Sequence, residues 1–149
     1  MKKPALNPIA IVASFLFVTL LGSTPEIFMD LSFENAIIQS KEQNKIVLAK
    51  FHADWCHWCN KMDNTTFRDP DILDKLQEFI PIKLDIEEGV GLKLAQDAGV
   101  SGLPTIVFFD GDGEVIGKYV GYQSPKEMKK IIKKVAKTQK WKNVKSYSH

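Results

Sequence analysis

The ten residues FHADWCHWCN, Phe51 to Asn60, hold both cysteines of a 149-residue chain. Cys56 and Cys59 lie three positions apart, a spacing shared by redox dithiols, zinc half-sites and small structural bridges. The bridge reading is weak, because the closed loop is tiny and cross-linking stabilises less as the loop shortens. A zinc reading needs more ligands. His52, His57 and the terminal His149 are the only imidazoles, and His57, lying between the cysteines, is badly placed to join both on one tetrahedral ion. The flanking pattern favours redox chemistry. IVLAKF, Ile46 to Phe51, reads as a mostly buried strand, and a helix starts at the cysteines and runs to about Thr65. A thiol at a helix N-terminus meets unpaired N–H groups and the positive end of the dipole. Such sites bring a cysteine pKa to roughly 3.5–7.5, so the nucleophilic thiolate forms at neutral pH. The second thiol, one turn on along the same face, can reach the first.

The rest of the pattern alternates between helical and strand periods. Leu31 to Asn44 is an amphipathic helix capped by Ser32. Asp69-Pro70 is an N-cap with proline at the first helical position, opening a helix to about Phe79. Ile80 to Ile86 alternates as a strand, and Val90 to Ala98 is helical until Gly99 stops it. Thr105 to Phe109 and Glu114 to Val120 form a hairpin about an Asp-Gly-Asp-Gly turn. Ser124-Pro125-Lys126-Glu127 is a capping box that opens a last helix with Met128, Ile131, Ile132 and Val135 on one face. The order α-β-α-α-β-α-β-β-α predicts an α/β fold, a central mixed sheet with helices on both faces.

The first residues read as a targeting segment. Met1-Lys2-Lys3 precedes an apolar run from Ile9 to Leu21, broken by Gly22 to Pro25. As a helix that run rises about 20 Å, short of the roughly 30 Å hydrocarbon core. Residues 1–23 are therefore expected to be a signal peptide or an N-terminal membrane anchor through residues 4–22, with a linker at 24–30, a domain at 31–140 and a flexible tail at 141–149. Export places the chain in a periplasmic or other extracytoplasmic, oxidising setting. Net charge is +2, with nine basic against seventeen acidic residues from Thr24 to Ser124, and nine lysines against one glutamate from Lys126 to Lys145. The lysines of the last helix read as its solvated face. Nucleic-acid binding is set aside because the rest of the chain is acidic, and no phosphate loop or paired hydrolase carboxylates occur.

Three stretches together resemble the thioredoxin superfamily from about Leu31 to Lys140. ADWCHWC looks like its Trp-Cys-x-x-Cys motif, SGLPT (Ser101 to Thr105) like its cis-proline loop, and FFDGDGEVIGKYVGY like its terminal hairpin. Within that family, Asp-Trp-Cys and the following TFRDPDIL look most like the periplasmic reductase domain of the transmembrane disulfide reductase DsbD and small proteins related to it. The resemblance implies the thioredoxin fold and a thiol:disulfide oxidoreductase. Cys56 would attack and Cys59 resolve, with no cofactor beyond the redox-active disulfide and no metal. Its partners would be cysteine-containing protein substrates and a redox partner protein, and the chain would act as a monomer. Pro104 would be cis beside the sulfurs, the Leu103 backbone would pair with an extended substrate segment, Trp55 would support the site as the motif's tryptophan, and Trp58 would cover the site or contact the partner. The 48 positions from Cys56 to Pro104 leave no room for the inserted helical domain of DsbA-type oxidants, and no DsbC-type dimerisation domain is expected before the fold. A thiol oxidase or isomerase, a non-catalytic docking module and a metal-binding module are the alternatives.

Two positions depart from the family. Thioredoxin carries a buried aspartate six residues before the first cysteine, and here that position is Lys50, with His52 on the same strand face. Lys83 resembles the lysine that pairs with the missing aspartate. Two buried ammonium groups side by side are costly unless one deprotonates or finds a carboxylate. Lys50 is thus expected either to lie near Cys59 and assist its thiolate or to snorkel outward. His57 as imidazolium would favour the thiolate of Cys56 and a more oxidising couple, whereas the DsbD likeness implies a reductant.

Overall fold

The structure, a computed structural model, describes residues 26–87 and 89–146. The targeting segment at 1–23, residues 24–25 of the linker, and residues 147–149 of the tail lie outside the described residues. Nine regular elements follow one another: α1 (Phe33–Gln43), β1 (Ile46–His52), α2 (His57–Asn64), α3 (Pro70–Leu76), β2 (Phe79–Asp85), α4 (Gly89–Asp97), β3 (Thr105–Phe109), β4 (Val115–Val120) and α5 (Pro125–Ser146), with a 3-10 turn at Thr66–Arg68 between α2 and α3. No helix among the described residues is long and apolar enough to cross a membrane.

The strands form one mixed sheet in the order β2-β1-β3-β4, with β1 parallel to β2 and antiparallel to β3. Period-two alternation divides each strand between two cores. Ile46 and Leu48 of β1 join Ile106 and Phe108 of β3 under α2, α3 and α5. Val47, Ala49 and Phe51 join Ile80, Ile82, Leu84 and Val107 under α1 and α4. The central β1 is buried from Ile46 through Phe51, so its end is held along both edges and both faces where the cysteine loop departs.

Local chemistry sets the boundaries. Ser32 Oγ accepts the Asn35 N–H at 3.2 Å, and Asp69 accepts the N–H groups of Asp71 and Ile72, with Pro70 supplying the fixed φ of the first helical position. The Ser124–Glu127 capping box closes reciprocally, Glu127 Oε2 accepting from the Ser124 N–H at 2.8 Å. Helix α3 ends at Leu76, short of the expected Phe79, because Phe79 pairs with Ile46 in the sheet and stacks edge-on against Phe108. Strand β4 starts at Val115, which pairs with Phe109 just past a register shift between Phe108 and Phe109. Helix α5 runs to Ser146, past Lys140. Gly91 lets α4 press onto the end of β2, where a Cβ would run into the Asp85 carbonyl.

Candidate active site

Helix α2 begins one residue after Cys56, whose backbone is extended and whose sulfur caps the helix by accepting the Cys59 N–H at 3.1 Å. Cysteine is an unusual cap. Its presence means that the first orphan donors of the helix face a sulfur rather than a hydroxyl or carboxylate. Cys56 and Cys59 form a disulfide. Cys56 is 5% exposed and Cys59 1%, so the outer sulfur is the one a partner can meet.

Aromatic side chains surround the bridge. Trp55 is 68% exposed and its Nε1 donates to Glu87 Oε1 at 2.9 Å, which ties the cysteine loop to the segment after β2. Trp58 is half exposed and lies 5.8 Å from both the His57 and Tyr122 rings, with Lys61 Nζ 4.6 Å from its centroid. The Leu103–Pro104 peptide bond is cis. Pro104 is buried, and its carbonyl accepts the N–H of Gly121, whose φ of +88° suits glycine at the end of β4. A groove of about 470 Å³ runs beside the bridge, lined by Trp55, Cys56, His57, Trp58, Leu92 and Leu103 among others. The structure thus brings Leu103 to the cysteine motif across 47 residues of chain.

Lys50 does not snorkel. Its side chain is fully buried, and Nζ donates to Asp63 Oδ1 at 2.5 Å. Lys83, its cross-strand neighbour in register, reaches Asp63 Oδ2 at 3.5 Å and Glu26 Oε1 at 3.6 Å. Both ammonium groups lie over the Phe28 ring, at 5.8 and 4.8 Å. Burial holds the Lys50 pKa below its usual value, and the Lys83 charge adds to this while Asp63 opposes it. His52 is also held low, first by burial and then by the Lys50 charge. Asp63 is the residue that sequence reasoning missed. It lies four positions after Cys59 on α2, hence on the same helix face, and that spacing was the available signal. The carboxylate absent from β1 has moved to the helix opposite.

His52 brings no ring nitrogen within ion-pairing distance of a carboxylate among the described residues. It nevertheless shares a small cluster with Asp54 and Asp85, one ligand atom of each lying within 4.8 Å of the others.

A thioredoxin-like domain model matches residues 33–136. The thiol:disulfide interchange protein DsbD of Campylobacter jejuni strain RM1221 is 30% identical over 103 residues, 68% of this chain and 18% of that protein. That of Vibrio vulnificus strain CMCP6 is 34% identical over 79 residues, 52% of this chain and 13% of that protein. The chain therefore spans less than a fifth of the length of these relatives. A thioredoxin from Thermus thermophilus superposes with a TM-score of 0.64 at 25% identity, covering 70% of this chain and 83% of that one. A DsbH oxidoreductase superposes with the same TM-score at 20% identity, covering 78% and 92%, and shares the fold. With a Cys-x-x-Cys disulfide at the head of α2 and a domain model matching residues 33–136, the chain belongs to the thioredoxin-like domain family.

Proposed function

We propose that this protein is a thiol:disulfide oxidoreductase that works outside the cytoplasm as a reductant of protein disulfides. The Cys56 thiolate attacks one sulfur of a substrate disulfide, forming a mixed disulfide and releasing the other sulfur as a thiolate. The Cys59 thiolate then attacks the Cys56 sulfur, which re-forms the internal bridge and releases the substrate's second thiol. A partner dithiol returns two electrons to the bridge. The observation that carries this reading is the Cys56 sulfur seated as the cap of α2, where an N–H already points at the position of its negative charge.

The order of attack follows from exposure, since Cys59 is the more enclosed sulfur. The apolar groove from Trp58 to Leu103 suits an extended segment carrying the target cysteine, with Leu103 offering main-chain pairing. Asp63, four positions after Cys59 on α2, and the buried Lys50 that it pairs are assigned the proton that Cys59 gives up and regains. Lys83 holds the second oxygen of that carboxylate. The reductive direction rests on the likeness to the DsbD reductase domain, and export rests on residues 1–23.

Two measurements test it. A Cys59→Ser variant is expected to accumulate mixed disulfides with its protein partners, which a docking module would not form. Equilibration with glutathione is expected to give a potential near about −270 mV; a value near about −120 mV would overturn the reductive direction.

A further inference from the structure

We propose that His52, Asp54 and Asp85 form a binding site for a divalent transition ion of the zinc class, separate from the dithiol. The three ligands come from main-chain positions the fold has already fixed. His52 ends β1 and Asp85 ends β2, and the two are partners in the parallel register. The Ile86 N–H donates to the His52 carbonyl at 3.0 Å, which locks the two strand ends together. The Glu87 N–H donates to Asp85 Oδ1 at 2.8 Å, orienting that carboxylate, and Gly91 lets α4 pack against the Asp85 backbone. Asp54 follows in the turn before Cys56 and is exposed.

The spacing is what points to an ion. The half-buried imidazole takes part in no ring hydrogen bond or ion pair among the described residues, although two carboxylates stand around it with ligand atoms within 4.8 Å. A direct bond between imidazole and carboxylate would bring those atoms under about 3.2 Å. An ion with bonds of about 2.0–2.2 Å to nitrogen and oxygen spans such a gap after a small closing movement, chiefly of the exposed Asp54 side chain. One imidazole and two carboxylates make a borderline-to-hard donor set, open to water at the remaining positions. Charge agrees with this. Of the cross-strand pairs on this face, Lys50 and Lys83 are already engaged by Asp63, while the pair beyond it, with Asp54, leaves two negative charges that a doubly charged cation balances.

The test uses the full chain in its disulfide form, so that no thiolate competes for metal. Calorimetric titration with Zn²⁺ at neutral to mildly alkaline pH is expected to show one saturable equivalent. His52→Ala and Asp54→Asn are each expected to weaken it by at least about tenfold, while His57→Ala leaves it unchanged. Asp54 is exposed, so its replacement does not endanger folding, and Asp85→Asn serves as a third probe once its melting temperature matches that of the parent. No saturable binding, binding unmoved by His52→Ala and Asp54→Asn, or binding lost in His57→Ala would overturn the proposal.

Discussion

The ammonium of Lys50 is sealed from solvent, and one carboxylate 2.5 Å away answers it. Removing that carboxylate while leaving the lysine is expected to be costly, because an unpaired buried charge loses its compensation. Asp63→Asn should destabilise the protein by about 2–4 kcal/mol in urea unfolding, toward the low side for a broken buried pair because Asp63 is itself partly solvated. Lys50→Met combined with Asp63→Asn should recover most of that loss. The pH dependence has a definite sign. The native pKa of Lys50 is lowered, mainly by burial, with Lys83 adding to the fall and Asp63 and Glu26 opposing it. Between that lowered value and the usual value near 10.5, the unfolded chain binds a proton that the native chain lacks, so stability rises with pH across that window. Wild type should therefore gain on Lys50→Met as the pH rises toward about 10.5 in paired urea midpoints; a constant difference would count against the shift. In the sequence, Lys50 was visible as a departure from the family pattern. Its partner was not, since a helix-borne aspartate thirteen residues away looks like any solvated acid until the register of α2 over the sheet is known.

At the level of elements, the caps were legible because they are written in adjacent residues. Ser32, Asp69 and the Ser124–Glu127 box all cap where the sequence places them. Element ends that depend on strand pairing were not legible. Phe79 has a side chain that suits either a helix or a strand, and only its pairing with Ile46 decides between them. Asp69 binds two helix N–H groups and also pairs with Lys129 of α5 at 3.2 Å, so it joins two helices as well as starting one. Asp69→Ala should cost about 1 kcal/mol in thermal or urea unfolding. Asp71→Ala, which removes only a solvent-exposed partner of the same lysine, should cost clearly less. Equal losses would mean that the ion pair, rather than the cap, stabilises α3.

For the whole molecule, alternation of helix and strand periods was enough to indicate a mixed sheet between helical layers, and the strand order and two-sided core agree with it. The cross-strand meeting of His52 with Asp85 was hidden, because it depends on a parallel register that joins segments 33 residues apart. Direction of electron flow is a property of this scale. A dithiol couple is more reducing than an unfolded one when the native fold favours the bridged state over the open state, and the same energy appears in unfolding. The reductive reading thus predicts that the oxidised chain withstands more urea than the dithiol form; the reverse order would mark an oxidant. The Cys59 amide that points at Cys56 belongs to the main chain of α2 and does not depend on the bridge being closed. On the reductive reading, the receptor for the new anion is thus already assembled when the bridge opens, and the scaffold needs no refitting before the next attack.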